Sequence, residues 1–311
     1  MDIQRQRKFS KKSMLKLQTP VIDAPHNIMI SYSDKIMMLG SCFSDNIGKQ
    51  MADFGFDVCI NPFGTLYNPI SILQSIRRMV SGMPFTAEDC EDMGAGSGLT
   101  CSFEHHTSFA RKDSKEFIEN ANQALRKASE IFRECSCLII TLGTSWCYRH
   151  TGRNIIVSNC LKRPAGEFER VRLSTEEICK ALDEIAAISA GGNGIRPKKI
   201  IFTVSPIRHF KDGAHGNQLS KSALLLGIDE TIRNNSSSTS VKMDYFPSYE
   251  IMMDELRDYR FYAEDMCHPT GQAVDYIRER FLDWVMPKEE RPQLEENIRN
   301  YRRSCHRPIN L

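Results

Sequence analysis

Short apolar runs alternate with longer amphipathic stretches along most of the chain. The runs cover residues 35–39, 58–60, 137–142, 199–204 and 241–245. The third and fourth are apolar at nearly every position instead of at every second one. Continuous hydrophobicity of this kind is typical of strands that helices cover on both faces. The pattern therefore predicts a mainly parallel five-stranded sheet.

Helical periodicity fills the stretches between the runs. The predicted helices are 45–54, 69–80, 114–134, 174–189, 219–234 and 271–285. Ser174 and Glu177 have the spacing of a capping box, and the glycine-rich stretch 191–194 follows the same helix as a stop signal. Regular alternation of strand and helix predicts an α/β fold of the three-layer α/β/α sandwich type.

Composition divides the chain into three parts. Residues 1–34 open with a basic stretch of no clear period and are predicted to be an N-terminal lead-in. Residues 35–286 carry the strand and helix pattern and form the candidate catalytic domain. Residues 287–311 are charged and contain prolines, which predicts a C-terminal helix and tail. Two stretches without periodicity, 86–99 and 234–240, are predicted to be exposed loops.

The charge balance argues against a nucleic-acid partner. The chain of 311 residues has 41 Lys and Arg against 39 Asp and Glu, a formal net charge of +2. A fold-wide basic surface is therefore not expected. A small or sugar-like partner fits better, and no pattern indicates the oligomeric state.

The cysteines predict neither disulfides nor a metal site. The chain has 11, with no Cys-x-x-Cys pair and no Cys/His cluster of zinc spacing. No segment has the ~20 apolar residues that span a bilayer, and the basic N-terminus lacks a signal-peptide core. No glycine-rich nucleotide motif follows a strand. We expect a cytoplasmic protein with reduced thiols, no membrane partner and no cofactor.

The first apolar run ends at a glycine and a serine, Gly40 and Ser41. A strand followed by a glycine, a hydroxyl and a helical pattern presents that hydroxyl at the edge of a sheet. Amides at the start of the helix would also favour a developing anion there. The alternative interpretation is that Ser41 only caps the helix.

A second motif, Asp265-Met-Cys-His268, precedes the last predicted helix. A carboxylate three residues before a histidine can orient the imidazole through one ring nitrogen, so that the other faces a nucleophile. The alternative is that Asp265 caps the helix and His268 is half-buried. Together with Ser41 the motif indicates a serine hydrolase.

These motifs resemble the GSCFA family of the SGNH hydrolase superfamily. Residues 40–44 match the motif after which the family is named, with Ser44 in place of its alanine. The resemblance covers roughly 39–281 and includes residues 61–69, 141–144, 203–209, 220–223 and 262–269. It implies a flavodoxin-like sheet and an ester hydrolase that needs no cofactor or metal.

The resemblance also implies roles for individual residues. Ser41 matches the nucleophile, His268 the general base and Asp265 the residue that orients the base. Gly64 is the best match to the glycine whose amide stabilises the oxyanion.

One block departs from the superfamily pattern. Where Gly-x-Asn-Asp is usual, this chain has Gly143, Thr144, Ser145 and Trp146. Ser145 or Asn61 would have to replace the asparagine as oxyanion donor. Loss of one such donor costs about 10²–10³ in rate, so activity depends on this replacement.

Four further residues are weaker candidates. Arg208 and His209 follow the fourth strand and are expected to contact a carboxylate or a sugar hydroxyl, the alternative being a solvated surface. His106 is a candidate of the same kind. Cys42 is a competing nucleophile, since a thiol at a helix N-terminus is reactive. Adjacent side chains point apart, so Ser41 is preferred and Cys42 is taken as a packing residue.

Three functions follow from this pattern. The first is a carboxyl-ester hydrolase acting on a small-molecule or carbohydrate ester, such as a sugar O-acetyl group. The second is an O-acyltransferase in which a sugar hydroxyl replaces water. The third is a ligand-binding protein whose hydrolase site has decayed. The substrate itself is not readable, because loops set the pocket.

Overall fold

A parallel sheet lies at the centre of the fold, with two small antiparallel sheets beside it. The computed structural model describes residues 19–22, 26–236 and 241–305. Within them the strands are β1 (Lys35–Gly40), β2 (Asp57–Ile60), β3 (Glu91–Asp92), β4 (Thr100–Cys101), β5 (Cys137–Leu142), β6 (Trp146–His150), β7 (Ile155–Val157), β8 (Phe168–Arg172), β9 (Lys199–Val204) and β10 (Lys242–Phe246).

Helices precede or follow most of these strands. They are α1 (Cys42–Asp53), α2 (Pro69–Ser81), α3 (Ser114–Glu134), α4 (Thr175–Ser189), α5 (Gly213–Asn234), the short α6 (Ser248–Glu250), α7 (Gly271–Val285) and α8 (Arg291–Cys305). A π-helical turn, Ile251–Glu255, continues α6. None of the helices in the described residues combines the length and the apolarity needed to cross a bilayer.

The central sheet has the order β10-β9-β5-β1-β2, and every neighbouring pair is parallel. Strand order reverses at β1, which pairs with β2 on one side and with β5 on the other. This is the flavodoxin-like order, in which ligands bind beyond the carboxyl ends of the strands at the reversal point. The predicted five-stranded parallel sheet is confirmed.

Helices cover both faces of the sheet, as the continuous hydrophobicity of its strands requires. In β1, Met37 and Leu39 belong to the core on one face, whereas Ile36 and Met38 belong to the core on the other. The first core is closed by α2, α3, α4 and α5, and the second by α1 and α7. The predicted three-layer sandwich is therefore confirmed.

The helix predictions are close to the structure, and one loop prediction is confirmed only in part. Helices α3 and α7 have the predicted bounds, whereas α5 begins at Gly213, earlier than predicted. The stretch 86–99, predicted to be an exposed loop, is exposed at most of its positions but contains the two-residue strand β3, which pairs with β4. Glu91 in this strand is 7% exposed and forms ion pairs with Arg153 and Arg163. The other predicted loop, 234–240, falls in part on residues 237–240, which lie outside the described residues.

The segment before β1 packs into the domain. Ile28 and Ile30 are fully buried in the core beneath α7. The amide of Ile30 donates to the carbonyl of Val285, the last residue of α7, at 2.9 Å. Ile28 and Ile30, which precede β1, thus belong to the same hydrophobic core as α7.

Candidate active site

The turn from β1 into α1 is fixed by backbone geometry. Gly40 has φ +139°, and a Cβ there would lie 2.1 Å from the carbonyl oxygen of Thr141 on β5. Only glycine fits this close approach. The next residue, Ser41, is the N-cap of α1, and its hydroxyl accepts a hydrogen bond from the amide of Phe43 at 3.3 Å. Ser41 therefore lies at the reversal point, with its side chain 1% exposed.

Asn61 braces this turn from the end of β2. Its Oδ1 accepts from the amide of Gly40 at 2.8 Å, and its Nδ2 donates to Oδ1 of Asp45 on α1 at 2.8 Å. The side chain of Asn61 thus joins the last residue of β1 to the first turn of α1. It acts here as a structural tie, with its amide group directed at Asp45.

The predicted oxyanion glycine, Gly64, has its amide in another contact. The Gly64 amide donates to the carbonyl of Asn61 at 2.7 Å, which closes the turn after β2. Gly64 has φ +81°, and a Cβ there would lie 2.3 Å from Cβ of His106. His106 itself caps the short turn Thr107–Phe109 through its ring. Gly64 and His106 therefore pack against each other and lie outside the cavity described below.

Asp265 and His268 form a closed turn before α7. Oδ1 of Asp265 accepts from the amides of Cys267 and His268, each at 2.9 Å, and Oδ2 lies 2.5 Å from Nδ1 of His268. The two amides, and then the imidazole, lower the pKa of Asp265 to about 2. With Nδ1 donating to this carboxylate, Nε2 is left as the acceptor that a general base needs.

Ser41 and His268 share no direct hydrogen bond, although the structure describes both residues. Ser41 is buried at the N-terminus of α1, whereas the side chain of His268 is 52% exposed. Of the two contacts that the predicted triad requires, the one between Asp265 and His268 is present and the one between Ser41 and His268 is absent.

A cavity of about 630 Å³ lies over this end of the sheet. Its walls include five of the predicted site residues: Cys42, Thr144, Arg208, His209 and His268. The remaining wall comes largely from the small sheet β7-β6-β8, whose strands the sequence did not predict, and from the loop between β7 and β8. A volume of this size is within the range of small-molecule sites.

The loop after β5 is held from two sides. The amides of Gly143 and Thr144 both donate to the carbonyl of Tyr67, at 2.8 and 3.0 Å. Ser220 on α5 bonds to the amide of Ser145 at 2.8 Å and to the hydroxyl of Thr144 at 3.0 Å. The hydroxyl of Ser145 is buried without a partner in the described residues and does not line the cavity.

Lys221 lies beneath the cavity and was missed by the sequence argument. It is 1% exposed, and its Nζ donates to the carbonyls of Gly143 and Ser205, each at 2.7 Å. Burial, with Arg208 nearby, lowers the pKa of Lys221 to about 7. The available signal was a lysine flanked by serines directly before the apolar run 223–226 of α5.

Burial also sets the protonation of two predicted site residues. Burial and the neighbouring Asp45 raise the pKa of the Cys42 thiol, so it is a poor nucleophile at neutral pH. Burial, with Lys221 and His268 nearby, lowers the pKa of His209 to about 4. His209 is therefore neutral at pH 7.

One family matches the chain over most of its length. The sequence profile of the GSCFA family matches residues 35–281, which include Ser41, Asp265 and His268. No curated protein matches the chain.

Proposed function

Because the chain belongs to the GSCFA family, we propose that it is a serine hydrolase of the SGNH type that cleaves carboxylic esters. The single observation that carries the proposal is the Asp265–His268 pair: Nδ1 of His268 lies 2.5 Å from the carboxylate, and His268 lines the cavity together with Cys42, the first residue of α1. Ser41 stands at that N-terminus as its cap.

In the proposed reaction, Ser41, His268 and Asp265 take the roles of nucleophile, general base and positioning residue. His268 Nε2 takes the proton of the Ser41 hydroxyl as Ser41 Oγ attacks the acyl carbon, and the same proton passes to the departing alcohol. Water then attacks the acyl-enzyme, with His268 again as the base, and releases the acid. Before the first step the exposed Asp265–His268 turn moves inward to Ser41, which is the change expected when substrate fills the cavity.

The oxyanion is assigned to the amide of Cys42. First-turn amides of a helix have no carbonyl partner within the helix, and Cys42 is the first residue of α1. The amides of Ser41 and Gly64 already donate to Thr141 and Asn61, at 3.2 and 2.7 Å. This assignment replaces the donor predicted at Gly64.

The occupied donors favour a second candidate, a ligand-binding protein without turnover. Gly64 donates within its own turn, Asn61 ties β1 to α1, and the Ser145 hydroxyl lies outside the cavity. An oxyanion hole with a single donor would be slow, since each lost donor costs about 10²–10³ in rate.

The test is serine-dependent chemistry at Ser41. Hydrolysis of 4-nitrophenyl acetate and labelling by a fluorophosphonate are measured for the wild type, Ser41→Ala and Cys42→Ala. We expect Ser41→Ala to lose both signals and Cys42→Ala to keep both. Full turnover in Ser41→Ala would refute the nucleophile. A wild type that neither labels nor turns over any short-chain or sugar ester would favour the binding protein.

A further inference from the structure

The charges that line the cavity are not balanced within it. Its cationic residues are Arg163, Arg170, Arg208 and Lys211, and the single acidic residue among the described lining is Asp212. Arg170 binds Asp212 through two hydrogen bonds, at 2.6 and 3.0 Å, and so neutralises it.

Two cations are left without an acidic partner. Arg163 pairs with Glu167 at 2.6 Å outside the lining, but no carboxylate of the described residues lies within ion-pair distance of Arg208 or Lys211. The site therefore carries an uncompensated positive charge on its wall. Such a cavity concentrates anions.

Arg208 has donors to spare. Its guanidinium lies 4.5 Å from the ring centre of Phe210, and its Nε is buried with no hydrogen-bond partner in the described residues. A buried donor without a partner is costly, and a planar guanidinium fork matches the two oxygens of a carboxylate. The missing partner is thus best supplied by an anionic ligand.

The free donors stand next to the proposed general base. The amide of Arg208 donates to the carbonyl of Cys267 at 3.1 Å, and Cys267 directly precedes His268. Lys211 lines the same cavity, where its Nζ contacts the hydroxyl of Tyr148 and lies 4.9 Å from the centre of that ring. A ligand held by both cations would lie beside His268.

We propose that the substrate is an anionic ester, one that carries a carboxylate, and that Arg208 and Lys211 bind this carboxylate while the ester group faces Ser41. This inference rests on the proposed hydrolase function and narrows its substrate class. The carboxylate contact is made in the ground state as well as in the transition state, so its loss raises KM more than it lowers kcat.

The first experiment compares two esters that differ by one charge. Mono-4-nitrophenyl glutarate and its methyl ester share the leaving group and the acyl chain. We expect the wild type to prefer the charged ester in kcat/KM. Arg208→Gln should lower that preference by about 10- to 100-fold, mainly through KM. Lys211→Gln should lower it less, because Tyr148 already shares its ammonium.

Arg302→Gln is the matched control. It removes an exposed arginine from α8 and should keep the wild-type preference. Thermal melts of each variant establish that it is folded, and Lys211→Gln provides an independent readout if Arg208→Gln does not fold. An unchanged preference in folded Arg208→Gln, or a wild type that prefers the neutral ester, would overturn the proposal.

The second experiment measures binding without turnover. The chain has two tryptophans, and Trp146 lines the cavity, so Trp284→Phe leaves a single reporter. We expect glutarate to change its fluorescence saturably, glutaramide to have no effect, and Arg208→Gln to weaken the glutarate response. Tighter binding of inorganic phosphate than of glutarate would overturn the proposal that the site selects a carboxylate.

The two experiments separate this inference from the hydrolase function. Glutarate binding that depends on Arg208 in a protein without esterase activity would refute the hydrolase and support the anion site. Ester hydrolysis with no charge preference and no glutarate response would refute the anion site and leave the hydrolase standing.

Discussion

Replacing Lys221 by methionine should change how stability depends on pH. The lysine is fully buried, and burial lowers its pKa from 10.5 to about 7. Between these two values the unfolded chain binds about one more proton than the native protein. The free energy of unfolding of the wild type therefore rises with pH in this window, by up to about 1.4 kcal/mol per pH unit.

The quantity to measure is the difference in the free energy of unfolding between the wild type and Lys221→Met. Other groups also titrate between pH 7 and 10; the buried thiols, such as Cys147 with its pKa raised to about 12, act in the opposite direction. They are present in both proteins and cancel in the difference. From pH 7.5 to pH 9 the advantage of the wild type should grow by about 2 kcal/mol.

Urea unfolding followed by circular dichroism, with reductant present, gives this difference at several pH values. Lys127→Met, on the exposed side of α3, controls for the loss of one positive charge. Methionine fills a similar volume but leaves the carbonyls of Gly143 and Ser205 without their donor, at about 1–3 kcal/mol each. That cost applies at every pH. A difference that stays flat or shrinks between pH 7.5 and 9 would refute a depressed pKa.

Three more predictions concern stability and catalysis. In a thermal melt, Gly40→Ala should lower the free energy of unfolding by more than about 4 kcal/mol, because the new Cβ would lie 2.1 Å from a carbonyl oxygen. The control Gly82→Ala has open space around its Cβ and should lower it by about 1 kcal/mol. Ile30→Ala should cost about 2–5 kcal/mol in urea unfolding, and a value near zero would contradict its place in the core. Asp265→Asn should lower kcat on 4-nitrophenyl acetate by about 10²–10⁴ with an unchanged far-ultraviolet spectrum, whereas the exposed neighbour change Glu264→Gln should not.

The sequence was sufficient for the elements whose signal is local. The inner strands β1, β5 and β9 are buried at nearly every position, and α3 and α7 have full helical periods, so the predicted and observed bounds of these elements agree within one residue. The capping box at Ser174 is present as predicted, with both hydrogen bonds formed. Each of these features depends on residues close together in the chain.

What the sequence did not predict depends on distant contacts. The strands β6, β7 and β8 are short and half-exposed, so their alternation is too weak to separate from a loop. The amide of Gly64 matches a motif, but its use in a turn is visible only from the carbonyl of Asn61. The sequence of α5 alone does not distinguish Lys221 from a surface lysine. Its burial depends on the loops after β5 and β9, whose carbonyls at Gly143 and Ser205 accept its hydrogen bonds.

The contact between Ile30 and Val285 also has a consequence for synthesis of the chain. The amide of Ile30 cannot form its native hydrogen bond until the ribosome has added Val285, about 250 residues later. Until α7 emerges, the core that Ile28 and Ile30 share with it is incomplete, and a nascent chain in this state exposes apolar surface that promotes aggregation. Expression of fragments that stop before α7, or that start at Lys35, should therefore yield insoluble protein.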